Sequence, residues 1–347
     1  MPELRVRKLD SEQRTAWPEA LVTAATFTAL DSWSRLVHEL YGCTMYRFEA
    51  VSGGEVHGIL VLVHVRHPIF GNYLATAPFG SYGGFAFASI EARDALLRQA
   101  QALADGLGVE YVVVRFIEAG NQPPASWLQN PIYSTYLLDL VPNAADLMKN
   151  FGHQHRKHTR QAMKKGFKLQ FGHLDLLDET FEALARSMHE LGSPYHSKEY
   201  LRRMAELLGD CVEFVVVKDI KNALVGSAVL VYHQGVASNL HANIFREFRS
   251  GYAGEFLYWS LLEHYCQKGL QVCDMGRSLN GSGNETFKLK WRSRQVPLAY
   301  WYYLPKSGEI PELNQKSPKF RFAIWLWKRL PAFIVRALGP AVIRGIA

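Results

Sequence analysis

The order in which apolar runs and amphipathic stretches succeed one another is the strongest constraint on this chain, because it occurs twice. In the first half, Asp31 is placed to cap a helix whose Leu36, Val37 and Leu40 share one face and which stops at Gly42. The strand-like runs Thr44–Val51 and Val56–Val65 follow, joined at Ser52-Gly53-Gly54 as a hairpin. A loop rich in glycine, proline and aromatics, centred on Pro78–Gly84, leads to Ser89, which opens a helix running to about Leu107. The continuous apolar run Val109–Ile117 and a strand Tyr133–Leu140 close this half.

The second half returns to the same order. A basic helix at about His153–Lys165 precedes a short strand, Phe167–Phe171, and two helices, Asp178–Leu191 and Ser197–Leu208. Strands are expected at Val212–Lys218, Leu224–Tyr232 and Val236–Asn243, then a helix from about Tyr252 to Lys268. Strand Leu270–Met275 enters a glycine-rich segment, and Pro297–Leu304 is the last strand. Helices on a mixed sheet, twice over, make an α+β chain of two lobes. A length of 347 residues exceeds what one core sustains, which agrees. The expected division is residues 1–142, residues 143–305 and a tail, 306–347.

A hydrophobic content of 48% with 20% charged residues excludes long disorder. Cys43, Cys211, Cys266 and Cys273 show no CxxC spacing, as buried thiols in a reducing compartment do, and not a disulfide framework or zinc site. The N-terminus lacks the apolar core of a secretory signal, and no window offers about twenty uninterrupted apolar residues. The expected place is the cytoplasm, with attachment to the inner face of the cell membrane. The net charge of +7 is local. Lys316, Lys319, Arg321, Lys328, Arg329, Arg336 and Arg344 account for it without an acid among them, and residues 147–174 form a second acid-free basic run.

Asp274 to Trp291 is where chemistry concentrates. A buried strand is expected to end at Asp274 and to be followed by a loop with Gly276, Gly281 and Gly283 beside Ser278 and Ser282. Glycines let backbone N–H groups approach an anion, and Arg277, Lys288 and Lys290 add fixed positive charge. Phe287 and Trp291 indicate a packed segment, against the plainer alternative of a solvated surface loop.

The pattern Asp-x-Gly-Arg-Ser, then Gly-Ser-Gly, then Phe-Lys-x-x-Trp, then Pro-Leu and the aromatic strand Tyr300–Tyr303, resembles FemAB-like proteins. The resemblance extends over nearly the whole chain and is closest to the FemAB-related proteins of exopolysaccharide and exosortase systems. Leu191-Gly192-Ser193-Pro194, the helix from Tyr258 to Glu263, and the loop Pro78–Gly84 carry it further, as does the segment Trp325 to Pro340. It implies two tandem GNAT-like lobes and an acyl- or aminoacyltransferase that uses acyl-CoA, acyl-carrier protein or aminoacyl-tRNA as cosubstrate. One place departs from the GNAT pattern. In Phe248-Arg249-Ser250-Gly251-Tyr252-Ala253, the turn that would hold a pyrophosphate, Gly251 and Ala253 fit and Arg249 can compensate, but Phe248 stands where Gln or Arg is expected.

Arg156, Arg160 and Lys164 form one cationic stripe on the basic helix, suited to a phosphate-bearing substrate or a tRNA backbone, or simply to solvent. His153, His155 and His158 have no common ligand spacing, so no metal is expected. In the tail, residues 317–347 alternate apolar bulk with cations, broken into short helices by Pro331 and Gly339-Pro340. That composition suits a helix lying in the headgroup plane; packing on the protein's own core is the alternative.

GNAT-type transfer is direct attack of an amine or hydroxyl on an activated carbonyl, without a covalent enzyme intermediate. Absence of GxSxG, HExxH and P-loop motifs disfavours hydrolases, zincins and NTPases. Asp274 and Glu285 are the candidate bases, with His241 behind them. Arg277, Ser278, Lys288, Lys290, Arg156, Arg160 and the first-lobe Tyr82 with Ser81 are the candidate substrate contacts. Arg249, Gly251 and Ala253 are the candidate donor contacts. The acceptor expected is an amine of an anionic cell-envelope precursor, glycan or lipid-linked. A tRNA-dependent peptidoglycan-bridge transferase and an idle scaffold of a polysaccharide assembly complex are the competing readings.

Overall fold

The computed structural model describes residues 3–10, 16–306, 308–311 and 318–346. They fall into two compact units, the first drawing on residues 1–133, 296–312 and 343–347, the second on 134–295 and 313–342. In the first unit, β1 (Arg5–Leu9), α1 (Glu19–Ala25) and α2 (Asp31–Tyr41) precede the hairpin of β2 (Thr44–Ser52) and β3 (Glu55–His67). Then come β4 (Gly71–Ala75), β5 (Phe85–Phe87), α3 (Ile90–Leu107), β6 (Tyr111–Ile117) and the short β7 (Leu128–Gln129).

The second unit opens with β8 (Tyr133–Asp139), α4 (Ala144–Asn150), α5 (His153–Met163) and β9 (Lys168–Gly172). It continues through α6 (Leu177–Leu191), α7 (Lys198–Leu208), β10 (Val212–Lys218), β11 (Leu224–His233) and β12 (Val236–Ile244). α8 (Ala253–Gln267), β13 (Val272–Leu279) and α9 (Gly283–Leu289) complete its core. β14 (Arg294–Tyr303) belongs almost entirely to the first unit, while α10 (Pro318–Trp327) and nearly all of α11 (Ala332–Ile343) belong to the second.

Strand order in the first unit is β1-β2-β3-β4-β6-β14, with β5 on β3 and β7 on β14. In the second it is β8-β13-β12-β11-β10-β9. Each sheet holds one parallel pair, β4 with β6 and β12 with β13, linked by the crossover helices α3 and α8. α3 carries Leu96, Leu97, Ala100 and Ala104 into one apolar core, and α8 carries Phe256, Leu257, Leu261 and Leu262 into the other. Burying these helices along one face against a sheet is the main source of stability.

The units part at Tyr133, not near 142, and the last strand of the expected second lobe goes to the first unit. Pairing is the reason: Leu298–Tyr303 run antiparallel to Val112–Ile117 of β6. Asp31 is the first residue of α2 and pairs with Arg47, whereas Leu30 occupies the cap position. Gly42, left-handed at φ 64°, ends α2 as expected, and Ser89 caps α3 by accepting from the Ala92 N–H at 3.2 Å. Pro340 lies inside α11 and does not break it. Lys316 and Ser317, part of the basic tail, lie outside the described residues.

Candidate active site

The site grows from one irregularity in the second sheet. β12 and β13 are in parallel register only at Val236–Ser238 with Val272–Asp274, although β12 runs on to Ile244 and β13 to Leu279. A register shift opposite Val229 and Leu230 of β11 accompanies the departure, as a β-bulge does where it turns a strand away from its neighbour. Beyond the fork, strand edges become available to an extended ligand, because every backbone N–H and C=O requires a partner.

The expected loop after Asp274 is therefore mostly strand: Gly276, Arg277 and Ser278 belong to β13. The apolar signal stops at Met275 because the strand beyond it lines a polar fork. Gly276 sits at φ 77°, which favours glycine, and a Cβ there would reach the Asn239 carbonyl oxygen at 3.5 Å and the Lys288 Nζ at 3.9 Å. The remaining turn is capped by Ser282, whose hydroxyl accepts from the Glu285 N–H at 3.3 Å to start α9. Glu285 accepts in turn from the Gly281 N–H. The Ser-x-x-Glu spacing is a helix-start signal in the sequence, although Glu285 reaches the N–H one residue before the cap and the Ser282 N–H donates to the Leu279 carbonyl.

Lys288 is the central group. It is buried, donates from Nζ to the Gly276 and Arg277 carbonyls at 2.7 and 3.0 Å, and lies over the Tyr136 ring at 5.3 Å. Burial lowers its pKa to about 8, partly offset by the Asp274 carboxylate. It is thus held by the fork rather than displayed to solvent as an anion grip. Asp274, also buried, accepts on Oδ1 from the Thr135 hydroxyl at 2.6 Å and the Gly276 N–H at 2.9 Å. Asn239 accepts from the Tyr265 hydroxyl at 2.6 Å, and the buried Ser278 hydroxyl has no partner.

The second candidate base is committed elsewhere. Glu285 Oε1 accepts from the Tyr136 hydroxyl and the Gln295 side-chain amide, both at 3.0 Å. With three donors it ties α9 to its neighbours, a holding role. Arg277 and Lys290 are exposed on the same segment. His241 is partly buried on β12, with rings of Tyr195 and His196 at 5.3 and 6.3 Å, and burial pushes it down to about 4. Thr135, Tyr136 and Asn239 are site residues the sequence reading missed, since β8 and β12 read simply as strands.

The basic helix and the donor turn differ from expectation in detail. Arg156 donates to the Lys149 and Phe151 carbonyls at 2.9 and 2.7 Å, closing the end of α4. Arg160 lines two open surface depressions of about 270 and 580 Å³ along α5, the second also lined by Arg156, Trp259 and Glu263. Neither hollow is lined by a residue of β12 or β13. At the donor turn, Tyr252 takes a left-handed conformation (φ 63°) as the cap of α8, and Arg249 donates to the Ile244 carbonyl at 3.3 Å. A Cβ on Gly251 would meet the Phe167 ring at 3.9 Å, an ordinary contact, and Ala253 is buried. The first turn of α8 carries a buried carboxylate, Glu255, which competes with an anionic ligand for that helix end. In the first unit Tyr82 is buried, and Ser81 accepts through its carbonyl from the Tyr300 hydroxyl at 2.7 Å. Both hold a loop in place. Among the described residues no group of three or more His, Cys, Asp or Glu side chains is arranged to hold a metal.

A hairpin, a crossover helix and a parallel strand whose pairing lapses after three residue pairs coincide with a sequence match. The description "Acetyltransferase (GNAT) domain" matches residues 153–289, which include the fork. Residues 153–289 thus carry a GNAT-type acetyltransferase domain. Its fold resembles that of FemX, with a TM-score of 0.64 at 14% identity over 86% of this chain and 97% of the other. A tandem GNAT protein from the clavulanic acid biosynthesis pathway gives 0.56 at 13% identity, over 88% of this chain and 100% of the other. The C-terminal domain of a putative lysylphosphatidylglycerol synthetase from Agrobacterium fabrum gives 0.51 at 13%, over 71% and 80%. No curated protein matches the chain in sequence. The chain is an acyltransferase whose mixed α/β fold is like that of tandem GNAT proteins.

Proposed function

We propose that the chain transfers an acyl or aminoacyl group to an amine of an anionic cell-envelope glycan or lipid-linked precursor, in exopolysaccharide or peptidoglycan assembly. The observation that carries the reading is the fork between β12 and β13 with the Lys288 ammonium fixed inside it. The acyl chain lies along the parted strand edges, with its carbonyl near Lys288. The acceptor nitrogen attacks the carbonyl carbon, forming the N–C bond, and the C–S or C–O bond to the donor breaks. Lys288, poised with a pKa of about 8, stabilises the oxyanion as the ammonium and protonates the leaving thiolate or alkoxide, and the neutral amine so formed takes up the proton that the acceptor nitrogen loses. Asp274 orients the segment through Thr135 and Gly276, and the exposed Arg277 and Lys290 attract the anionic acceptor.

Glu255 in the first turn of α8, with Arg249 turned onto the backbone, favours donors that bring no diphosphate to this turn. Acyl-carrier protein and aminoacyl-tRNA are of that kind; acyl-CoA is not. The test is turnover of purified protein with each of the three donors and an amino-sugar phosphate acceptor. Transfer from at least one donor is expected, with Arg277→Ala raising the KM for acceptor roughly tenfold at similar kcat. No turnover with any of the three would point instead to a scaffold, and an unchanged KM in Arg277→Ala would remove Arg277 from the acceptor site.

A further inference from the structure

The two tail helices bury one face and leave the other bare. On the inner side, Ile324 and Lys328 lie against Gly192, where an added Cβ would meet them at 2.7 and 2.9 Å. Val335 and Gly339 of α11 are buried, the latter against the backbone of Tyr195, and Arg336 ion-pairs with Glu182. On the outer side, Phe322, Trp325, Leu326 and Arg329 recur at helical spacing, with Phe322 65%, Trp325 49% and Leu326 44% exposed. Phe333 at 73% and Leu338 at 47% extend the bare apolar surface along α11. Side chains of this size normally cover a core or a partner.

Charge decides the partner. Arg321 and Arg329 are exposed around the aromatics, Lys328 is exposed although its stem lies against Gly192, and the sequence has no Asp or Glu after Glu312. Phe322 and Trp325 stack at 5.8 Å, and the Arg329 guanidinium covers the Trp325 ring at 4.0 Å. A second copy of the same face would bring cation against cation, which disfavours self-association. Spanning is excluded by length: helices of 10 and 12 residues reach about 15–18 Å, well short of a bilayer core. Among the described residues no helix is long and apolar enough to cross a membrane. Aromatic bulk ringed by cations, on helices fixed to a folded unit, fits the boundary between headgroups and acyl chains.

We propose that α10 and α11 are a docking surface that seats the second unit on an anionic lipid bilayer, with Phe322, Trp325 and Phe333 inserted below the headgroups. This is independent of which group the enzyme transfers. The full-length protein should sediment with phosphatidylglycerol-containing vesicles and only weakly with pure phosphatidylcholine. The variant Phe322→Ser/Trp325→Ser/Phe333→Ser should lose vesicle binding by roughly tenfold or more, and Arg321→Glu/Lys328→Glu/Arg329→Glu should lose the preference for the anionic lipid. Thermal melting checks that each variant is folded. In the wild type, brominated lipids should quench the fluorescence contributed by Trp325, defined against Trp325→Phe, a readout that needs no destabilising change. Failure of the wild type to bind anionic vesicles, or absence of Trp325 quenching, overturns the proposal. So does equal binding by the serine variant. A concentration-dependent dimer lost in the serine variant, without vesicle binding, would assign the face to self-association instead.

Discussion

The two units build the same parallel pair and then treat the fork beyond it in opposite ways. In the first, β4 and β6 are in register at Tyr73–Ala75 with Tyr111–Val113, as short a ladder as in the second. There the chain fills its own gap. The Thr76 N–H donates to the Val113 carbonyl at 3.0 Å, the Thr76 hydroxyl accepts from the Arg115 N–H at 2.8 Å, and the Gly83 N–H donates to the Arg115 carbonyl at 2.9 Å. Gly84 continues the seal, donating to the Ala25 carbonyl and accepting from the Val61 N–H, both at 2.7 Å. In the second unit the fork is occupied by side chains, Lys288 above all, with the buried hydroxyl of Ser278 unpartnered beside it on β13. One fold thus yields a fork sealed by its own backbone and a fork held by side chains, the one proposed here to bind.

Breaking this contrast should show most at Lys288. Lys288→Met keeps volume and removes the ammonium, so kcat should fall roughly a thousandfold while the melting temperature holds or rises, because burying a charge is costly. A matching loss of stability would make Lys288 structural. The glycines of the two forks should separate next. Gly83 sits at φ 117° with Thr26 Oγ1 only 2.1 Å from an added Cβ, so Gly83→Ala should cost about 3 kcal/mol or more of stability and leave the kcat of folded enzyme unchanged. Gly276→Ala, with ordinary contacts and a left-handed backbone, should cost only about 1 kcal/mol but lower kcat. Urea denaturation beside steady-state kinetics reads both.

The pH dependence sharpens the same contrast. Because the folded pKa of Lys288 is about 8 and the unfolded one near 10.5, the unfolded chain holds more protons between these values. Stability contributed by this site therefore rises with pH across that window, by up to about 3 kcal/mol, and the rise should vanish in Lys288→Met. On the acid side, burial holds His155 and His241 near 4, so stability falls as pH drops from 6.5 toward 4 and the unfolded state takes up their protons. The smallest effect expected is Thr76→Val in the sealed fork, about 1 kcal/mol from the bond lost to the Arg115 N–H, with no change in kcat.

How much of this was legible in the sequence follows from where apolar side chains go. β10 falls at Val212–Lys218, as expected, because Phe214–Val217 is a continuous apolar, buried run. β1 and β4 were not read: each has only five residues, and β4 begins at Gly71-Asn72 beside a glycine- and proline-rich loop. The candidate site was legible as a segment but not as geometry. Polar residues on β13 hid its last strand residues, and short α9 hid behind its glycines despite the Ser282–Glu285 cap. Charges counted as ligand grips, Lys288 and Arg156, point at backbone carbonyls, and only coordinates reveal such commitments. Tyr82 looked available because its loop is glycine-rich, yet that loop is what seals the first fork.

The central claim is that transfer occurs at the Lys288 fork of the second unit. Photo-crosslinking with a donor analogue bearing a diazirine on its acyl chain, read by peptide mass spectrometry, tests it most directly. The account predicts label on peptides covering residues 236–244 and 272–291, competed by unmodified donor. Competed label confined to residues 73–84 and 111–117, the sealed fork, would contradict it.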